Sequence, residues 1–365
     1  MRKHFENISD PRQAGKISYN LQEIIIMTVC AVISGCEFWE DTVDFCRVKE
    51  SWFRKKLGLA LKNGVASYDT FQRVFQLIKP EELEASFMSW VRSIAVKIKG
   101  EIISIDGKTV CRSRDTQAKA IHMVSAWANS NQLVLGQVKT EEKSNEITAI
   151  PALLDLLELK QCVVTTDAMG CQKDIARKIV KECKSDYVFG LKGNRETLHE
   201  DVKLYFESMA KSERLKEKTV ITKEKDHGRI ETREYYLETE IDRLYQRPDW
   251  IGLNAIGMVK SKVWEKGVLR EETRYFITSL TDVKAFAKAV RAHWGVENSL
   301  HYVLDVTFKE DGSRIRSEDG AENMATLRRL ALNFLNNDRE KGTSVKNRRM
   351  MAAFDDEVPE NILGF

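Results

Sequence analysis

Proline is scarce in this chain, with five among 365 residues. So few helix breakers in a sequence that is 42% hydrophobic exclude a proline-rich linker protein and disorder over most of the length. Net charge is small as well, +3, and by itself neither demands nor excludes a polyanionic partner. Long hydrophobic runs are missing. The longest, residues 24–35 (IIIMTVCAVISG), falls short of the roughly 20 residues that a bilayer crossing needs, and it lacks signal-peptide flanks. It therefore reads as a buried helix. The seven cysteines are an odd number and include no CxxC pair. That argues against a disulfide framework or a zinc ribbon and for reduced thiols in a cytoplasmic protein, nucleoid-associated if it binds DNA.

What is present is uneven. Length suggests about two domains at roughly 150 residues each. Between Arg314 and Arg349 nine Lys and Arg stand against five Asp and Glu, whereas the last fifteen residues carry four acids and no base. A basic cluster of this kind is either a footprint for phosphates or a solvated helix face. Residues 1–99 read as an N-terminal helical domain, with apolar positions at helical spacing in 21–33, 71–78 and 87–98. Asp69 followed by Gln72 resembles a capping box. The short helices at 68–78 fit either a DNA-reading helix-turn-helix or ordinary helix packing.

The pattern changes at Gly100. Residues 101–106, 122–128, 132–138, 161–166 and 186–191 are β-prone, with helices at 147–157 and 173–183, provided that Pro151 lies in a first helical turn. The order β-β-β-α-β-α-β defines an α/β mixed sheet with helical crossovers over 100–218. A charged helix near 196–217 leads into a β-rich region, 219–280, with a hairpin turn at His227-Gly228-Arg229 and strands at 254–262 and 270–278. Helical signal returns from Val283 to Val306 and again at 321–336. Residues 337–365 read as a polar tail.

Asp106 and Asp167 each follow an apolar strand. At the carboxyl edge of an open α/β sheet, loops diverge and leave a crevice for ligands. If the strands are neighbours, two close carboxylates raise one another's pKa unless a hard cation neutralises them. The alternative is that each aspartate merely begins a turn. In the helix 283–306, Phe286, Val290, His293, Glu297, Leu300 and Leu304 form one otherwise apolar face. A charged glutamate there needs a salt bridge or a metal, and a metal gives the stronger account. Two aspartates and a glutamate can hold two Mg²⁺ ions roughly 3.5–4 Å apart on one phosphodiester, with Mn²⁺ able to substitute. A zinc site from His293, Glu297 and His301 is the other metal reading. It gives Asp106 and Asp167 no role.

Several blocks resemble one family. SIDGKT (104–109), KSNEITAI (143–150), TTDAMGCQKD (165–174) and HWGVEN (293–298), with DPR (10–12), WED (39–41) and AEN (321–323), are similar to the H-repeat-associated proteins. Those are a branch of the bacterial insertion-sequence DDE transposases, and the likeness runs over nearly the whole chain. It implies an RNase H-like mixed sheet with helices on both faces, interrupted by a β-rich insertion before residues 281–336, which carry the acidic helix. The resemblance also implies that Asp106, Asp167 and Glu297 are the metal-binding catalytic triad, and that the substrate is transposon-end and target double-stranded DNA, held by a homodimer. A catalytically silent, DNA-binding remnant is the alternative. The wider group sets Tyr, Arg and Lys around its glutamate where this chain has Val290, His293 and Leu304. The basic and polar candidates for DNA contact are therefore Lys108, Lys192, Asn194, Arg291, His293, His301, Arg314 and Arg316. For Trp294, base stacking and core packing are both open.

Overall fold

The computed structural model describes all residues except 114–119, 141–145, 212–218, 227, 317–318, 338–342 and 364–365. Six helices come first: α1 (Arg2–Phe5), α2 (Leu21–Ile33), α3 (Trp39–Val48), α4 (Glu50–Lys55), α5 (Tyr68–Leu77) and α6 (Pro80–Ile94). Then follow β1 (Ile102–Thr109), β2 (His122–Ala128), β3 (Leu133–Thr140), α7 (Glu146–Leu156), β4 (Val163–Thr166), α8 (Lys173–Lys181), β5 (Asp186–Leu191) and α9 (Glu196–Lys211). Four long strands come next, β6 (Thr219–Asp226), β7 (Arg229–Glu238), β8 (Ala255–Glu265) and β9 (Val268–Thr278). The chain ends in α10 (Val283–Val296), a π-helical turn (Glu297–His301), α11 (Tyr302–Val306), α12 (Gly320–Asn337), α13 (Val345–Phe354) and α14 (Glu357–Leu363). No described helix is long and apolar enough to cross a membrane. All seven cysteines are free thiols.

The strands form one mixed sheet in the order β3-β2-β1-β4-β5-β9-β8-β7-β6. β1, β4 and β5 are parallel neighbours, as the helical crossovers require. β9 pairs antiparallel with β5, and β8, β7 and β6 continue as an antiparallel meander. The expected β-rich insertion thus extends the sheet of the core rather than folding apart from it. This is the mixed α/β architecture expected of an RNase H-like core. The hairpin turn expected at 227–229 lies partly outside the described residues.

The chain divides into two compact units, one of residues 1–96, 107–143 and 297–365, the other of 97–106 and 144–296. In the first, α2 is buried on almost every side, as its lack of charge after Glu23 dictates. Asn20 starts it by accepting the Glu23 N–H at 3.1 Å. α12 is also buried nearly all round, although it carries Asn323, Arg328, Arg329 and Asn333. Asn323 donates at 2.8 Å to the carbonyls of Phe75 and Ile78, completing the end of α5. Asn333 pairs both its amide atoms with the Val134 backbone at 2.8 Å, occupying part of the edge of β3 as a neighbouring strand would.

Three local expectations need correction in physical terms. α5 starts behind Ser67, whose hydroxyl meets that of Thr70 at 3.2 Å, and not at an Asp69–Gln72 box. Pro151 sits in the middle of α7. The carbonyl that it deprives of a partner belongs to Ile147, which is exposed and can be solvated. The polar tail is helical over Val345–Phe354 and Glu357–Leu363, and its Arg348 and Arg349 are buried. Arg348 donates to the Leu335 carbonyl, and Arg349 donates to the carbonyls of Val32 (2.9 Å) and Thr307 while stacking 4.2 Å from the Phe308 ring centre. With Arg328 and Arg329 also buried, much of the basic cluster is internal structure and not a phosphate footprint.

In the second unit α10 lies on the sheet. Phe286, Ala289 and Val290 pack with Tyr235, Leu237 and Val259. The close approach depends on Gly257 of β8, where a Cβ would stand 2.3 Å from Cζ of Phe286. Gly257→Ala should therefore lower stability by about 1–3 kcal/mol through overpacking. Urea denaturation should show a lower midpoint with an unchanged slope.

Candidate active site

Parallel pairing sets the first two carboxylates. Ser104 of β1 faces Thr165 of β4, and Ile105 faces Thr166. Asp106 is the next residue of β1 and Asp167 the first residue after β4, so each acid directly follows the last pair of the two strands. Neighbouring strands are about 4.8 Å apart. β4 ends before Asp167, as expected, whereas β1 runs on through Asp106 to Thr109. Asp106 is thus the first β1 residue past the β4 pairing and not past the strand.

Asp167 is held by its own turn. Its Oδ1 accepts the N–H of Met169 at 2.8 Å and that of Gly170 at 3.4 Å. A Cβ on Gly170 would meet Thr166 at 2.6 Å, so the turn has no room for one. The KGN segment braces the same turn. Asn194 Nδ2 donates to the Ala168 carbonyl at 2.6 Å, and Arg195 Nε donates to the Cys171 carbonyl at 3.1 Å, with a second bond to the Gln172 side chain. Asn194, expected on the DNA backbone, makes this bond through Nδ2 while the residue itself is exposed. Lys192 beside it is exposed.

α10 reaches the same place from above the sheet. His293 Nδ1 lies 3.0 Å from Thr165 Oγ1, Thr165 donates to Ser104 Oγ at 3.1 Å, and Ser104 donates to the Ala292 carbonyl at 3.4 Å. Each hydroxyl has one proton, so Nδ1 of His293 carries the hydrogen of its bond. Burial pulls this imidazole down to about 4, against the pull of the Asp167 charge. It is neutral at physiological pH and does not offer DNA a cation. Trp294 has the guanidinium of Arg274 at 4.3 Å from its ring centre and that of Arg233 at 5.6 Å. Arg291 makes two bonds to the Glu224 carboxylate, at 3.0 and 2.8 Å, tying α10 to β6. That pairing, too, is internal.

The helix expected to continue to Val306 breaks its α geometry at Glu297, the first residue of the π-helical turn. Phe286, Val290, Leu300 and Leu304 are buried as the stripe predicts, but burial passes through Val296, and Glu297 is exposed. The cost of burying its charge is therefore not what singles this glutamate out. Its position is: one helical turn beyond His293, at a π-helical irregularity of the kind that recurs at functional sites.

In the first unit Lys108, another expected DNA contact, is buried among Asp305 (2.7 Å), Asp311 (3.0 Å) and Glu310 (3.5 Å). Burial lowers its ammonium pKa, but the three carboxylates more than reverse that and hold it charged. His301 ends the π-helical turn, and Arg314 and Arg316 are exposed in the segment before α12. Among the described residues no three His, Cys, Asp or Glu side chains stand together as a ready metal cage. What the strands supply is two acids, each directly after the last β1–β4 pair. Ser104 and Thr165 escaped the sequence reading, although a signal was there: each precedes its aspartate by two residues.

Residues 97–334 match the model of the Transposase DDE domain, and residues 2–91 that of the DDE_Tnp_1-associated region. The chain is 42% identical over 363 residues to "Putative transposase YncI" of Escherichia coli O157:H7, covering 98% of this chain and 92% of that one. It is 39% identical over 370 residues to "H repeat-associated putative transposase YhhI" of Escherichia coli strain K12, covering 99% and 97%. A solved piggyBac transposase synaptic complex with hairpin DNA aligns at a TM-score of 0.42 and 12% identity, over 97% of this chain and 75% of that one. The chain belongs to the DDE transposase family. Within it, the H repeat-associated relative YhhI matches nearly the whole of this chain.

Proposed function

We propose that this chain is a working transposase that cuts DNA at the ends of its element and joins the freed 3′-hydroxyl to target DNA. The observation that supports the reading is the register of β1 and β4, in which Asp106 and Asp167 each directly follow the last pair, Ile105 with Thr166. Glu297, one turn beyond the residue through which α10 bonds β4, is the third acid. The donor set is entirely carboxylate oxygen, which suits Mg²⁺ or Mn²⁺ and not a thiolate-bound metal. Two such ions supply charge neutralisation and activation of the attacking and leaving oxygens. The protein's part is to supply these acids as ligands for the ions and the phosphodiester. Exposed Lys192, Arg314 and Arg316, with His301, are the remaining candidates for holding the DNA backbone. Two copies acting on paired ends complete the reading.

The test is cleavage of a labelled duplex carrying the terminal repeat that flanks the gene, with Mg²⁺, with Mn²⁺ and with chelator. Metal-dependent nicking at the repeat end, followed by joining to a plasmid target, is the expected result. Specific binding without cutting under either metal would instead make the chain a silent, DNA-binding remnant.

A further inference from the structure

We infer that His293, Thr165 and Ser104 form a polar latch that positions the acids of the transposase site, each latch residue lying at a fixed offset before the acid that it serves. The inference rests on the reading of Asp106, Asp167 and Glu297 as that site. Ser104 and Thr165 are register partners on β1 and β4, and both are almost fully buried. Side chains two apart on a strand share a face, so Asp106 projects from the side on which Ser104 meets α10, and Asp167 follows Thr165 by two residues, just past the end of β4. Glu297, the first residue of the π-helical turn that follows α10, comes four residues after His293. One chain of hydrogen bonds, from Nδ1 of His293 through both hydroxyls to the Ala292 carbonyl, thus sets strand against strand and helix against both.

Its energetic logic is that of any buried polar network. Each hydroxyl both donates and accepts, and removing one member strands the others without water to replace it. The latch residues therefore act through the acids and touch no substrate.

The test compares His293→Leu, Thr165→Val, His293→Asn and His293→Gln in the full chain. Nδ2 of asparagine occupies the place of Nδ1 of histidine, whereas the glutamine amide lies one bond too far. Leu, Val and Gln variants should cut about 10–100-fold more slowly at saturating DNA, with a raised metal requirement. Their Kd for the repeat should not change, and His293→Asn should stay within about threefold of wild type. Hydrogen exchange gives a readout independent of cutting. Amides of residues 103–106 and 164–167 should lose protection in His293→Leu and regain it in His293→Asn. Equal defects in the Asn and Gln variants, a Kd that rises in step with the loss of rate, or unchanged protection would each overturn the latch. If wild type itself does not cut, the transposase reading fails while the exchange data still decide the latch.

Discussion

Asp167→Asn should abolish cleavage, lowering the single-turnover rate on the order of 10³-fold or more, while leaving binding to the terminal repeat intact. The amide oxygen can still accept the N–H groups of Met169 and Gly170 that shape the turn, so the fold has little reason to change. What disappears is a full negative charge beside Asp106, and a lone carboxylate neutralises two divalent ions poorly. Loss of a negative charge near a phosphodiester does not weaken its binding and tightens it slightly at low salt. The pair should also behave as a unit: Asp106→Asn on top of Asp167→Asn should cost almost nothing more, as groups acting together do. Gel-shift affinity and quenched-flow cleavage, with both metals, separate the two effects. Cutting that survives in Asp167→Asn within about tenfold of wild type would remove the aspartate from the chemistry.

Much of this was legible because it is local. α2, β2 and β5 fall where apolar spacing predicts, and β4 ends one residue before its aspartate. The carboxylate pair follows from strands that run into acids plus a helical crossover, which makes them parallel neighbours. The failures share a physical cause, which is charge paired over long sequence distances. Lys108, Arg329 and Arg349 look like surface cations in any window of ten residues. Their partners, at Asp305 and Asp311, at Glu310, and at the Val32 carbonyl, lie far along the chain or in other elements. Glu297 failed differently. A periodicity argument assumes an unbroken α-helix, and the π-helical turn moves the glutamate out of the stripe without altering the burial of Leu300 or Leu304.

The largest effect on stability should come from Arg329→Met. Arg329 and Glu310 are both fully buried, joined at 2.8 Å, and Arg329 also donates to the Ala325 carbonyl at 3.0 Å. Burial alone would push the Glu310 carboxyl up, but Arg329, Lys108 and Arg328 together hold it below the ordinary glutamate range. Methionine fills much of the space of the arginine stem and removes its charge, leaving Lys108 at 3.5 Å as the nearest cation. Breaking one side of a buried pair costs about 3–5 kcal/mol, a large share of the roughly 5–15 kcal/mol that a folded protein has. The double variant Arg329→Met with Glu310→Gln should recover much of that loss, because the stranded charge is then gone. Acid provides a second check. A carboxyl with a depressed pKa contributes stability above its unfolded value, about 4.3, and the contribution fades as pH falls through the folded value. In Arg329→Met the carboxyl instead takes up its proton more readily, so the gap from wild type should narrow between pH 7 and about pH 4. Chemical denaturation of both variants across that range measures it. A gap that stays constant with pH would mean that the loss comes from packing around Arg329 and not from the charge of Glu310.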